Sequence, residues 1–321
     1  MGKLYKFNHI FKETIWGGTR ILLYKGLPAD DRKIGESWEL SCVPGSESIV
    51  CGGEYDGYTL SQLVDAEQSA LVGEENYARF GNQFPLLIKF IDASQPLSLQ
   101  VHPDDALANE RHACPGKNEM WYVVSHEPGA SLINGFKEEI TFEEYERRVS
   151  EQSLPEVMHR CEVRTGDVFY LPAGRVHGIG AGCFICEIQQ TSDITYRIYD
   201  YGRMDAAGQP RQLHIDEAKA AINFTPNHDG QIPQAIENEP VELVNTPYFC
   251  TSIYRLTEPM TCDYSELDSF VVLICTKGKC SVTCSGETVM LHEGNTLLVA
   301  ATAETVALQP DGECDILETY V

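Results

Sequence analysis

Short segments rich in β-branched and aromatic residues follow one another along most of this chain, and they constrain its fold more than any other feature. Each is bounded by Gly, Pro, Asp or Asn, and many recur at intervals of about 8 to 12 residues, as in sandwiches and barrels. We therefore predict a mainly β fold. The segments are SIVCGG (48–53), PLLIKFID (85–92), LSLQVHP (97–103), MWYVVSH (120–126), ASLING (130–135), VFYLPAG (168–174), CFICEIQQ (183–190), ITYRIYD (194–200), FVVLICTKG (270–278), CSVTCSG (280–286), ETVMLHEG (287–294), NTLLVAAT (295–302) and CDILETY (314–320).

Helical periodicity is confined to a few places. Residues 60–73 carry leucines and a valine at helical spacing behind Thr59, which is suited to act as an N-cap. Residues 142–151 follow Thr141, and a glutamate three residues after that threonine completes the pattern of a capping box. Residues 214–224 are predicted to form a third short helix. The predicted fold is therefore mainly β with short helical excursions.

A weak internal repeat relates two parts of the chain. Residues 166–189 can be aligned with residues 294–320, because both run from a glycine through an apolar strand, a tight turn and a second strand to an apolar strand that carries a glutamate. Thr305 falls where the first copy has His177. We interpret the two copies as parts of two related β-barrels, of which only the first carries the chemistry.

The predicted linker between these barrels is the polar stretch 225–242, where Pro, Gly, Asn and acidic residues cluster. We therefore predict a catalytic, metal-binding domain with helical insertions at 1–236. A second domain, at 237–321, is predicted to lack metal ligands.

The charge of the chain restricts its partners. The formal net charge is −24 and the sequence pI is about 4.7. Such an acidic surface repels nucleic acid and anionic membranes, so neither is an expected partner. An anionic metabolite would have to be bound by a few Lys and Arg side chains that converge in a cleft. No apolar run is long enough to span a membrane and no signal peptide is evident, so we expect a cytoplasmic protein.

Twelve cysteines are present, most of them among Val, Ile and Phe. A chain with this much core has little need of disulfides, so we predict free thiols in a reducing compartment. Two pairs, Cys183 with Cys186 and Cys280 with Cys284, were weighed as zinc ligands. Neither pair has a second pair at the spacing of a zinc ribbon, and Cys183 and Cys186, three residues apart, would point to opposite faces of a strand.

Four side chains able to bind a divalent metal stand in strand-like settings. Gln100 and His102 are two residues apart and therefore share one face of a strand. Glu119 begins the next apolar run, and His177 follows a turn made by a proline and a glycine. A single histidine in a strand is more often a hydrogen-bonded core residue, but two histidines, a carboxylate and an amide together suit zinc.

These motifs resemble those of a known family. The pattern Gly-x5-Pro-x-Gly-x2-His at 166–177 resembles the second motif of the cupin superfamily, whose small β-barrels hold a metal. Cupins usually begin with His-x-His, whereas this chain has Gln-x-His-Pro at 100–103, followed by Lys-x-Glu at 117–119. That combination resembles the type I mannose-6-phosphate isomerases, in their short bacterial form. Further matches are IWGG (15–18), IGESWELS (34–41), KFIDASQPLSLQVHPDD (89–105) and EIQQTSDITYRIYDYGR (187–203).

The resemblance implies a fold, a cofactor and a reaction. Two cupin-type, jelly-roll β-barrels are expected, with one Zn²⁺ per chain. The implied zinc ligands are Gln100, His102, Glu119 and His177. The implied reaction is the interconversion of mannose 6-phosphate and fructose 6-phosphate through a cis-enediol, on a protein that is a monomer or a weak homodimer.

The resemblance also implies that Arg197 is catalytic. Because a guanidinium stays protonated, it suits the stabilisation of enediolate charge better than the removal of a proton. Lys117, Glu187 and Glu39 are the candidates for the base, and the sequence does not choose among them.

Other side chains are candidates for contacts with the substrate. Ser98, Lys89 and Arg203 could bind the 6-phosphate through hydroxyl and charge-assisted hydrogen bonds. Glu39 is also placed among the substrate-binding residues.

Two other functions remain open at this point. Two histidines and one carboxylate also satisfy the facial triad of an iron-dependent cupin oxygenase, although Gln100 as a fourth ligand argues against it. A sugar-phosphate-binding barrel without turnover is the other alternative, which the intact ligand set of the first copy disfavours.

Overall fold

The computed structural model describes residues 3–204, 207–226 and 234–321. Its strands are β1 (Leu4–Tyr5), β2 (Ile10–Gly18), β3 (Ile34–Leu40), β4 (Leu86–Asp92), β5 (Leu99–Val101), β6 (Glu119–His126), β7 (Ser131–Phe136), β8 (Met158–Glu162), β9 (Val168–Leu171), β10 (His177–Ile179), β11 (Cys183–Gln190), β12 (Tyr196–Tyr199), β13 (Pro240–Asn245), β14 (Cys250–Leu256), β15 (Met260–Asp263), β16 (Val271–Lys277), β17 (Lys279–Cys284), β18 (Glu287–His292), β19 (Thr296–Val299), β20 (Thr305–Pro310) and β21 (Cys314–Tyr320). The helices are α1 (Arg20–Tyr24), α2 (Leu60–Glu67), α3 (Ser69–Val72), α4 (Glu74–Phe80), α5 (Asp105–His112), α6 (Phe142–Ser150) and α7 (Ile215–Ala221), with a 3₁₀ turn at Leu154–Val157.

The mainly β prediction is confirmed. The strands form four sheets: sheet A (β12-β5-β10-β7-β8), sheet B (β2-β3-β4-β11-β6-β9), sheet C (β1-β19-β16-β21-β14-β13) and sheet D (β15-β20-β17-β18). Each is an open sheet, and none closes into a barrel within the described ranges.

Apolar side chains hold the sheets in the order A, B, C, D. Trp121 and Ile185 of sheet B pack with Ile179 of sheet A in one core cluster. Because side chains alternate along a strand, Cys186 and Ile188 of β11 face the other way, into a cluster shared with sheet C. A third cluster lies between sheets C and D. Burying each large apolar side chain contributes about 1.5–3 kcal/mol, so these layers account for much of the fold's stability.

The strand order bears on the internal repeat. In sheet B, β11 lies between β4 and β6, with β9 beyond β6, and in sheet C, β21 lies between β14 and β16, with β19 beyond β16. In sheet A, β10 lies between β5 and β7, and in sheet D, β20 lies between β15 and β17. Each strand of the repeated segment in one half therefore has neighbours that correspond to those of its counterpart in the other half.

The helix predictions are confirmed for α2, α6 and α7. At α2, the Thr59 side chain accepts a hydrogen bond from the backbone N–H of Gln62, and the Gln62 side chain accepts one from the backbone N–H of Thr59, so the capping box is complete. At α6, Thr141 caps the backbone N–H of Glu144. Helices α1, α4 and α5 lie in segments where no helix was predicted.

Two predictions of local structure were wrong. Residues 48–53 form no strand, only isolated bridges such as Ile49 with Thr59, because Gly52 and Gly53 adopt positive φ and turn the chain. The predicted linker ends too late, since Pro240 already begins β13. Part of that linker, 227–233, lies outside the described residues.

All twelve cysteines are free, as predicted. Among the helices described, none is long and apolar enough to cross a membrane.

Candidate metal centre

Sheet A places four polar residues side by side. Gln100 on β5 pairs directly with His177 on β10, and on its other side with Arg197 on β12. His177 pairs in turn with Asn134 on β7. Residues that are cross-strand partners point to the same face, so one row of side chains crosses the sheet. His102 follows two residues after Gln100 and joins this face.

Sheet B supplies the opposing groups. Glu187 on β11 pairs with Lys89 on β4 and with Trp121 on β6. Glu119 lies two residues before Trp121 and therefore faces the same way. The side chains on this face of sheet B point towards the row on sheet A. A cleft of about 410 Å³ lies between the two sheets at this place.

Three donor groups converge next to Gln100 and Lys117, which line the cleft. The nearest metal-ligating atoms of His102, Glu119 and His177 all lie within 4.8 Å of one another. The two Nε2 atoms are 3.2 Å apart, and Glu119 Oε1 lies 3.2 Å from His177 Nε2. All three residues are at most 1% exposed. Such a cluster of buried donors is the geometry expected of a metal site.

Hydrogen bonds fix the orientation of both imidazoles. His102 Nδ1 lies 2.7 Å from the carbonyl oxygen of Ile194, and His177 Nδ1 lies 2.8 Å from that of Arg175. A carbonyl only accepts, so both Nδ1 atoms carry the proton and both Nε2 lone pairs point into the centre. Burial, reinforced by the nearby Lys117 cation, lowers the pKa of His177 to about 3 and that of His102 well below its usual value. Both rings are therefore neutral, which is the form that binds metals.

The carboxylate of Glu119 is arranged to meet a cation. Burial and the nearby charge of Glu187 raise the pKa of Glu119 to about 7. Its Oε1 has no hydrogen-bond partner among the described residues, and such an atom is costly to bury. Its Oε2 contacts the Lys117 ammonium, which also lies 3.0 Å from His102 Nε2. These donor atoms already lie against one positive charge, the Lys117 ammonium, and donors that attract a cation in this way are suited to a divalent metal ion.

Gln100 reaches the same point. Its terminal amide atom lies 3.4 Å from His177 Nε2. The nitrogen and oxygen of an amide are assigned from their surroundings, so the carbonyl oxygen of Gln100 is available at this position as a fourth donor.

Charged groups line the cleft beyond the metal ligands. Lys89 Nζ lies 3.0 Å from Glu187 Oε1, and Trp121 Nε1 donates to Glu187 Oε2 at 2.9 Å. Lys117 Nζ lies 3.7 Å from Glu187 Oε1. Burial opposes the charge of Glu187, but Lys89 and Lys117 outweigh it and lower the pKa of Glu187 to about 2. Glu187 is therefore a firmly held anion.

Two arginines reach the cleft from sheet A and the following loop. Arg197 donates to the carbonyl oxygen of Gln212 at 2.9 Å, while its buried Nε has no partner among the described residues. Arg211 also lines the cleft and is held by both carboxylate oxygens of Asp200.

Apart from the cluster of His102, Glu119 and His177, the sequence-predicted residues divide into two groups. Ser98, Lys89, Lys117, Glu187 and Arg197 all line the cleft together with Gln100.

Arg203 and Glu39 lie elsewhere. The Arg203 guanidinium is bound by Asp200 and by the carbonyl oxygen of Pro96, and it is not among the residues that line the cleft. Glu39 points away from the cleft, where its Oε1 lies 2.7 Å from the buried Lys25 ammonium. The placement of Glu39 among the substrate-binding residues therefore has no support in the structure.

Five polar residues of the cleft were missed. They are Thr14, Glu36, Asp193, Thr195 and Arg211. Glu36 lies on the same strand as Glu39, and the sequence does not indicate which of the two faces the cleft. Arg211 lies in a polar loop with no pattern that could have marked it.

An interior His–Glu–His cluster beside a cleft between antiparallel sheets is a candidate metal site in a protein of the cupin fold. Residues 4–144 match the family model described as phosphomannose isomerase type I, catalytic domain. Mannose-6-phosphate isomerase ManA of Bacillus subtilis is 36% identical over 260 residues, covering 78% of this chain and 79% of that protein. The mannose-6-phosphate isomerase of Streptococcus mutans is 32% identical and covers 95% of this chain and 94% of its own.

Solved structures agree with the sequence relatives. A crystal structure of mannose 6-phosphate isomerase from Bacillus subtilis superimposes with a TM-score of 0.89 at 28% identity, and covers 100% of both chains. The chain therefore belongs to the type I phosphomannose isomerase family, and it is an enzyme.

Proposed function

We propose that this enzyme is a zinc-dependent isomerase that interconverts mannose 6-phosphate and fructose 6-phosphate. The observation that carries the proposal is the buried set of His102, Glu119 and His177, which contacts Gln100 and Lys117 of a cleft that is lined by several cations. Family membership supplies the substrate class.

The proposed ligands of the Zn²⁺ ion, one per chain, are Gln100, His102, Glu119 and His177. Two imidazole nitrogens and two oxygens are donors that zinc accepts. When bound, the ion would polarise the oxygens on C1 and C2 of the sugar and stabilise the negative charge of a cis-enediolate.

Arg197 is proposed to stabilise that same charge. Arg197 is the cross-strand partner of Gln100, so its side chain leaves the sheet next to that of a proposed metal ligand. Burial lowers the pKa of Arg197 from its usual value, but a guanidinium remains protonated at any working pH. A fixed cation at developing negative charge lowers the barrier without moving a proton.

Lys117 is the best candidate for moving the proton between C1 and C2. Glu39 points away from the cleft. Glu187, with a pKa of about 2, is a weak base. Lys117 lines the cleft, and its Nζ lies next to the proposed metal ligands. We propose that the amine form of Lys117 takes the proton from one carbon and gives it to the other. Glu119 and Glu187 would position Lys117 and stabilise the ammonium that forms between these two steps.

The 6-phosphate is proposed to bind at the end of the cleft away from the metal, where Ser98 and Arg211 offer donors. Lys89 adds positive charge, although Glu187 holds its ammonium at 3.0 Å. Arg203 is proposed to act through Asp200, which it shares with Arg211.

We further propose that sheets A and B form one cupin-type, jelly-roll barrel and that sheets C and D form a second. The catalytic domain is placed at 1–236, and a domain without metal ligands at 237–321. A cytoplasmic location, a monomeric or weakly dimeric state and the absence of nucleic-acid or membrane partners remain predictions.

A coupled assay that detects fructose 6-phosphate tests the proposal. Chelation should abolish turnover of mannose 6-phosphate, and zinc should restore it. His177→Ala should lose the metal, as measured by elemental analysis, whereas Arg197→Ala should keep the metal and lose turnover. His126→Ala, which removes an exposed histidine at the end of β6, is the matched control. Full activity of the metal-free enzyme would refute the proposed role of zinc.

A further inference from the structure

The C-terminal half contains a pocket of about 460 Å³ on the inner face of sheets C and D. Its lining includes Glu318 of β21, Asp263 of β15 and the tyrosines 254, 264 and 320. We call this feature the C-terminal pocket. It is separate from the cleft, because none of its lining residues lies in sheet A or sheet B.

The C-terminal pocket occupies the place that corresponds to the catalytic cleft. In the internal repeat Glu318 aligns with Glu187, and their strands, β21 and β11, have corresponding neighbours. Asp263 pairs with Thr305 between β15 and β20, just as Gln100 pairs with His177 between β5 and β10.

The two sites differ in the residue that pairs with the glutamate across the sheet. In the cleft, the cross-strand partner of Glu187 on one side is Lys89, whose ammonium neutralises it. In the C-terminal pocket, the corresponding partner of Glu318 is Ser252. A carboxylate is present at both positions, whereas the lysine is present only in the cleft.

Glu318 is nevertheless built into the pocket. It is only 5% exposed, and its Oε2 accepts hydrogen bonds from the hydroxyls of Tyr254, at 2.7 Å, and Tyr264. Two donors on one oxygen orient the carboxylate and leave its other oxygen free of those bonds. No Lys or Arg is found among the described residues that line the pocket.

A buried carboxylate is stable when a cation or several donors compensate it, and here the protein supplies donors only. A second carboxylate, that of Asp263, adds to the attraction for positive charge and repels phosphate. We propose that the C-terminal pocket binds a small organic cation with a protonated amine, which takes the position that the Lys89 ammonium has in the cleft. The sugar phosphates of the proposed reaction are anions and are therefore not expected to bind in the C-terminal pocket.

Titration calorimetry with matched probes tests the proposal on the full-length protein. Glucosamine and ethanolamine, with protonated amines, should bind, and their uncharged counterparts, glucose and ethylene glycol, should bind at least about tenfold more weakly. Equal binding of the charged and uncharged probes would overturn the proposal, and so would the failure of both amines to bind.

Variants locate the site. Glu318→Gln keeps an acceptor for the two tyrosines but removes the charge, so affinity for glucosamine should fall about tenfold. Asp263→Asn changes an exposed side chain and should weaken binding even if Glu318→Gln fails to fold, as judged by circular dichroism. Glu287→Gln, on the exposed edge strand β18, is the control and should bind normally. Unchanged affinity in folded Glu318→Gln and Asp263→Asn, or displacement of glucosamine by mannose 6-phosphate, would overturn the assignment.

Discussion

Replacement of Lys89 by methionine tests how much the buried ion pair between Lys89 and Glu187, in the lining of the cleft, stabilises the fold. Lys89 and Glu187 are 7% and 3% exposed, and their charged atoms lie 3.0 Å apart. Lowering the pKa of Glu187 from 4.5 to about 2 corresponds to roughly 3 kcal/mol in favour of its charged form. Lys89→Met leaves that carboxylate without its main partner, so the free energy of unfolding should fall by about 3–5 kcal/mol.

A double-mutant cycle provides the measurement. Urea unfolding of Lys89→Met, Glu187→Gln and the double variant should show that the double variant is less destabilised than the sum of the two single changes. The matched control is the exposed pair Lys277 and Glu313, 2.7 Å apart, where the same cycle should give less than about 1 kcal/mol. Additive effects at the buried pair, or equal coupling at both pairs, would refute the reasoning.

The same pair predicts a dependence of stability on pH. Because the pKa of Glu187 is lowered on folding, its contribution is fully present above the unfolded value of 4.5 and is lost as the pH falls towards about 2. Glu187→Gln should therefore flatten the acid limb of a plot of stability against pH. An unchanged acid limb would show that Glu187 does not contribute to it.

Three further predictions concern other parts of the chain. Thr59→Ala removes the capping box of α2 and should cost about 1 kcal/mol in urea unfolding, with Thr59→Ser close to the wild type. Gly180→Ala should cost about 1–3 kcal/mol, because its Cβ would meet the backbone oxygen of Ser131 at 1.9 Å; a wild-type melting temperature would contradict this. Glu119→Gln should reduce the affinity for zinc, measured by competition with a chromophoric chelator, since it removes the only charged donor of the cluster. Unchanged zinc affinity would remove Glu119 from the ligand set.

The sequence predicted the parts of the site that local pattern controls. Gln100 and His102 share a strand face because of a period of two, and the alignment of Thr305 with His177 matches the way their strands pair with β15 and β5. These relations depend on neighbours along the chain or on the repeat, both of which can be read from one sequence.

The sequence could not predict contacts that depend on which strands become neighbours. Glu39 and Glu36 lie three residues apart on β3, and the choice of which one faces the cleft depends on how that strand packs. Glu39 instead meets Lys25, a residue of the segment after α1 that no periodicity connects to it. Arg211 reaches the cleft only because Asp200 holds its guanidinium.

The strand register of sheet A brings the proposed catalytic arginine next to the proposed metal ligands. Arg197, Gln100 and His177 are successive cross-strand partners on β12, β5 and β10, so a cation and two proposed metal ligands lie in one row. A slip of one residue in β5 would turn Gln100 to the opposite face and bring Leu99 or Val101 into the row. Both neighbours are buried in the cluster behind sheet A, so such a slip would also expose apolar surface there. The burial that stabilises the sheet therefore also fixes the register on which the metal site depends.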